Sequence, residues 1–215
     1  MIKKYLSLIF LFCCFCFGLI GYSQCSDLFI SEYIEGSSSN KYIEIYNPTN
    51  ATVTLTEVYD LQIFSNGSNT ANQTIALSGN ISAFDVFLIA HPSADLIISP
   101  DQTGNLNFNG NDAVVLRNDN INIDVIGQIG LDPGTEWTGT TCTQGTQDGT
   151  LVRNSAVQSG DADGSNVFNP DTEWTCFAED DISDLGSHTS TCLASNEIQL
   201  QLPLGTDIAL SLIHI

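Results

Sequence analysis

The chain has 215 residues, 25 of them acidic against five basic, and a formal charge of −20. So negative a surface repels nucleic-acid phosphates and anionic lipid heads, because duplex binding depends on Lys and Arg displacing counterions, and direct nucleic-acid binding is not expected. An excess of one sign serves first to keep a protein soluble and monomeric, with attraction of cations as a secondary consequence.

Lys3 and Lys4 precede an apolar run from Leu6 to Ile20 that only Ser7 and Gly18 interrupt. A positive start, an apolar stretch shorter than the ~20 residues a bilayer needs, and small polar residues after it read as an export signal over residues 1–24 rather than a retained anchor. The mature chain then opens at Cys25, secreted or held at the cell surface, with no transmembrane segment. Gln24 suits lipid attachment at Cys25 poorly. Removing the signal takes away both lysines and no acid, so the net charge moves from −20 to −22, and Lys41, Arg117 and Arg153 are the cations that remain.

From Leu28 to Arg153 the sequence consists of short β-rich runs separated by Gly, Asn, Pro and Ser, without sustained apolar spacing at helical period. Strands are expected at Leu28 to Ile34, Tyr42 to Tyr46, Leu61 to Phe64, Thr74 to Leu77, Val86 to Ala90, Ala113 to Leu116, Ile121 to Ile126 and Thr150 to Arg153. Tyr42, Glu44 and Tyr46 fall on one side of their strand and Ile43 and Ile45 on the other, which suits a sheet with one buried face. Asn66-Gly67, Asn109-Gly110 and Asp119-Asn120 carry turn chemistry, the last joining two strands directly. Eight short strands over this length favour an all-β sandwich above a barrel.

A short repeat follows. Asp132-Pro133-Gly134-Thr135-Glu136-Trp137-Thr138 leads to Cys142, and Asn169-Pro170-Asp171-Thr172-Glu173-Trp174-Thr175 leads to Cys176. Four mature cysteines in an exported chain suggest two disulfides, for which three pairings exist. If the repeated loops lie side by side, Cys142 joins Cys176 and Cys25 joins Cys192, closing the ends of a domain over residues 25–192. No two of the four stand in a C-x-x-C pair, which argues against zinc. Residues 193–215 read as a linker or the start of a following domain cut short.

Several groups carry residue types capable of chemistry. Glu32 and Glu44 are placed to meet across the first two strands, as an acid/base or cation site requires, although bonding to backbone or to Lys41 is the plainer reading. Ser31 and His188 lack the strand-turn-helix elbow of a nucleophile, and the three histidines include no H-E-x-x-H pair. Asp161, Asp163 and Ser165, with Asp171 downstream, form the candidate calcium loop, since alternating oxygen side chains can wrap one ion. Asn166 stands where an EF-hand has its glycine, and an ordinary acidic turn is the competing account. Glu179-Asp180-Asp181 with Asp184 reads as a solvated run. Four N-x-[ST] triplets, at Asn50, Asn66, Asn72 and Asn80, mark polar loops.

The stretch LFISEYIEGSSSNKYIEIYN, residues 28–47, resembles the opening pair of strands of bacterial lamin tail domains, the motif positions being Ser31, Glu32, Lys41, Glu44 and Asn47. Asn109 to Arg117, Ile123 to Gly127 and Leu185 to Thr189 add to the resemblance, which covers about Asp27 to Thr191. It implies an immunoglobulin-like β-sandwich without catalytic residues of its own, carried by exported proteins and often beside nuclease or phosphatase domains. The expected function is a non-catalytic extracellular binding or spacer module of a secreted multidomain protein, meeting an extracellular partner or a neighbouring domain, with no cofactor unless calcium binds. The alternatives are an accessory domain of an exported nuclease or phosphatase, and an adhesion or carbohydrate module that presents Trp137 and Trp174.

Overall fold

A computed structural model describes residues 25–95 and 98–192; the expected export signal and the segment after Cys192 lie outside the described residues. The described chain is all-β: β1 Phe29–Glu35, β2 Lys41–Tyr46, β3 Val53–Thr54, β4 Tyr59–Phe64, β5 Gln73–Ala76, β6 Asn80–Ile81, β7 Val86–Ala90, β8 Gln102–Thr103, β9 Ala113–Asn118, β10 Ile121–Ile126, β11 Gly149–Arg153 and β12 Trp174–Phe177. One sheet has the order β12-β11-β1-β2-β7-β8, a second the order β10-β9-β4-β5, and β3 pairs with β6 beside them. All pairs are antiparallel except β7 with β8.

The main core lies between the two larger sheets. Ile30, Tyr33, Ile43, Ile45, Phe87, Ile89 and Leu151 of the first sheet meet Leu61, Ile63, Val114, Leu116 and Ile126 of the second. These are the alternate positions that the pleat turns to one side. Asp119 and Asn120 both adopt positive φ, as a tight turn between β9 and β10 demands, and they tolerate it because their short polar side chains bond locally.

The expectation that β2 has one exposed face is corrected. Tyr42, Glu44 and Tyr46 are as buried as Ile43 and Ile45. Residues after β12 return across the outer face of the six-stranded sheet and set Ile182 and Leu185 against Ile34, Tyr42, Leu88 and Ala90. The other sheet is covered in the same way, where Trp137 and Phe168 pack on Phe64, Ala113, Val115 and Val125. Gly127 permits that packing: it has positive φ, and a Cβ there would stand 2.8 Å from the Trp137 ring. Both outer faces are therefore sealed by irregular chain, which explains why β9 reads Ala-Val-Val-Leu instead of alternating.

β12 occupies sequence expected to be a loop. Only the beginning of the second repeat copy is a turn, at Pro170–Thr172, before the chain pairs with β11. The copies also diverge in destination, since Trp137 covers an outer face and Trp174 enters the central core.

Candidate functional site

β1 and β2 place Glu32 directly opposite Glu44. A β-bulge at Ser31 shifts the register between Ile30 and Glu32, and the Ser31 hydroxyl donates to Glu44 Oε1 at 2.7 Å. The covering segment supplies the next contact: the Gly186 N–H donates to Glu44 Oε2 at 2.6 Å. Glu32 and Glu44 are each 1% exposed, and neither carboxylate oxygen of Glu32 has a hydrogen-bond partner. Lys41 is not the partner of either, because its ammonium bonds Glu35 Oε1 at 2.8 Å.

Burial raises both carboxyls, since removal from water penalises the charged form. Glu32 is pushed up to about 9, first by burial and then by Glu44, Asp184 and Asp181. Glu44 is pushed up to about 7 by burial, with the bonds from Ser31 and Gly186 opposing the rise. His188 lies against the edges of Phe29 and Tyr46, and burial with nearby Arg153 holds it down to about 4, so its imidazole is neutral at neutral pH. Ser31 is fully buried with its hydroxyl given to Glu44, so the constellation of hydroxyl, carboxylates and imidazole has no open approach for a substrate.

A second buried charge cluster was missed from sequence. Arg153 of β11 bonds Asp124 of β10 and Glu173, donates to the Ile30 carbonyl at 3.0 Å, and stacks 4.0 Å from the Trp174 ring centroid. It bridges the two sheets from within, and Asp124 also receives the Ile30 and Asp161 N–H groups. The available signal was an arginine ending an apolar strand in a chain with two other mature cations; a charge there survives only if paired.

The calcium candidates are not gathered. Asp161 accepts from Asp163 N and from Asn166, and Asp163 accepts from the amide and hydroxyl of Ser165, an Asx-type turn that satisfies itself. Asp171 faces elsewhere: it receives the Thr141 hydroxyl and the N–H groups of Thr140, Thr141 and Cys142, which hold its carboxyl down to about 2. Among the described residues no group of three or more His, Cys, Asp or Glu side chains is placed to hold a metal ion. The four candidate residues therefore fall in two places, an acidic turn at Asp161, Asp163 and Ser165 and a separate loop clamp at Asp171.

The tryptophans named for the adhesion reading lie inside the fold. Trp137 and Trp174 are 6% and 5% exposed and present no aromatic surface. Trp174 borders an open pocket of about 140 Å³ with Asp161, Phe168 and Glu173, but Arg153 lies over its ring.

Of the remaining motif residues, Asn47 ties the end of β2 to its surroundings, donating to the Ala51, Ile81 and Ser82 carbonyls and accepting from Thr49. Cys142 is bonded to Cys176, and Cys25 to Cys192, with Cα atoms 5.2 and 5.8 Å apart. Asn47 and Lys41 brace the two ends of β2, and the Ser31–Glu32–Glu44 group lies between them under the cover.

This motif on an immunoglobulin-like sandwich agrees with the comparison to known families: the model of the Lamin Tail Domain matches residues 22–130, just over half of the chain. The chain belongs to that family. No curated protein and no solved structure matches it. The lamin tail match stops after β10, whereas β11, which pairs with β1, and the cover of the six-stranded sheet come from later residues. Among the described residues no helix is long and apolar enough to cross a membrane.

Proposed function

We propose that this lamin tail domain is a non-catalytic binding module of a secreted multidomain protein, comprising residues 25–192. The observation that carries the reading is the sealing of the Ser31–Glu32–Glu44 constellation, since all three residues are at most 1% exposed and a catalytic group must reach its substrate. The Cys25–Cys192 bond fits an oxidising compartment, in keeping with the export signal. That bond also closes the two ends of the domain on each other, with Cα atoms 5.8 Å apart. All three mature cations are paired with acids, which leaves a surface dominated by unpaired carboxylates and suited to a cationic or polar partner.

Assay of the purified full chain against DNA and a phosphate monoester tests this. Background rates are expected; turnover that disappears in Glu44→Gln would overturn the proposal. The accessory role beside a nuclease or phosphatase domain is the second reading, supported by the family resemblance, and a longer reading frame encoding clustered metal ligands would establish it.

A further inference from the structure

We propose that Glu32 and Glu44 form a binding site for one hard divalent cation of the calcium type, beneath the segment that covers the six-stranded sheet. The two side chains face each other across β1 and β2, both 1% exposed, and both Glu32 oxygens lack a hydrogen-bond partner. Two neighbouring buried carboxyls stay neutral either by holding protons or by sharing a cation. Among the described residues no cation is left to be shared, because Lys41 is engaged by Glu35, Arg117 by Asp60, and Arg153 by Asp124 and Glu173. The donor set is all oxygen: Glu32 offers two free carboxylate oxygens, and each Glu44 oxygen, with one hydrogen bond from Ser31 or Gly186, retains a lone pair. Hard cations prefer such ligands, and water completes the shell. Nitrogen- and sulfur-seeking metals are disfavoured, since among the described residues all four cysteines are in disulfides and His188 packs against Phe29 and Tyr46. The site is distinct from the Asp161 turn. It would also fix the cover, because Gly186 is held by one of the two ligands.

The test is equilibrium dialysis and thermal melting of the full chain, stripped with chelator and then given calcium or magnesium. The wild type is expected to retain one ion and melt at higher temperature. Residues that merely support a ligand cost about 10–100-fold in affinity when changed, so Glu32→Gln is expected to weaken binding ~100-fold or more. Asp161→Asn is expected to bind as the wild type does. Glu32→Gln removes the uncompensated charge at constant shape, so it folds, and Glu44→Gln gives a second reading. Failure of the wild type to bind either ion, or equal binding by Glu32→Gln, overturns the proposal; so does loss of binding in Asp161→Asn alone.

Discussion

Two buried charge clusters lie on opposite sides of β1. Arg153, Asp124 and Glu173 sit inside the sandwich, where one guanidinium balances carboxylates from two elements and gains the Ile30 carbonyl and the Trp174 face. Glu32 and Glu44 sit outside it, equally buried but, among the described residues, with no cation between them. Burial is similar in the two places, and the difference is countercharge. The first cluster ties the sheets together and collapses if one partner is lost; the second costs stability unless something external neutralises it.

The largest effect is expected from the disulfide that anchors the cover. Replacing Cys25 and Cys192 by Ser opens a loop of 167 residues, for which chain entropy alone gives about 5 kcal/mol, to be read from urea unfolding. The same variant is expected to be less sensitive to alkali, because water then reaches Glu32. Next, Arg153→Met leaves Asp124 buried and unpaired and is expected to cost about 3–5 kcal/mol, while joint replacement of Arg153 by Met and Asp124 by Leu recovers most of it. An additive double-mutant cycle would show that the balanced cluster is not a unit.

A smaller effect of opposite sign is expected at the unbalanced cluster. Glu32 and Glu44 have folded-state pKa values above the ordinary 4.5, so their favourable contribution is complete below that pH and is lost as pH rises through about 7 and about 9. In chelator the wild type should therefore lose stability from pH 5 to pH 9, and Glu32→Gln should be more stable by about 2 kcal/mol at the alkaline end. The smallest effect concerns Asp171, whose pKa is depressed to about 2. Its contribution is present above 3.8 and lost as pH falls through about 2, so Asp171→Asn should speed amide exchange at Thr140, Thr141 and Cys142 with little change in global melting.

Much of the sandwich was legible because period-two patterning is local. Ile43 and Ile45 face the core as their spacing indicates, and Asp119-Asn120 makes the turn its chemistry demands. The motif residues were legible too, but not their partners. Backbone or Lys41 was expected to bond Glu32 and Glu44; Glu44 takes the Gly186 N–H, whereas Lys41 is found on Glu35, which spacing made as plausible. The repeat pointed to the Cys142–Cys176 bond but not to where its tryptophans go, one to an outer face and the other to the core.

The sequence by itself determined the all-β class, the acidic surface and the residues of the motif, because strand period, turn chemistry and net charge are properties of neighbouring residues or of their sum. Only the tertiary structure decided that the outer faces are covered, that Glu32 is left without a partner, and that Arg153 lies between the sheets. Each depends on contacts between positions far apart in the chain: Gly186 with Glu44 and Arg153 with Ile30 and Asp124. Countercharge and burial are set by what the folded chain brings alongside, and local pattern carries no record of it.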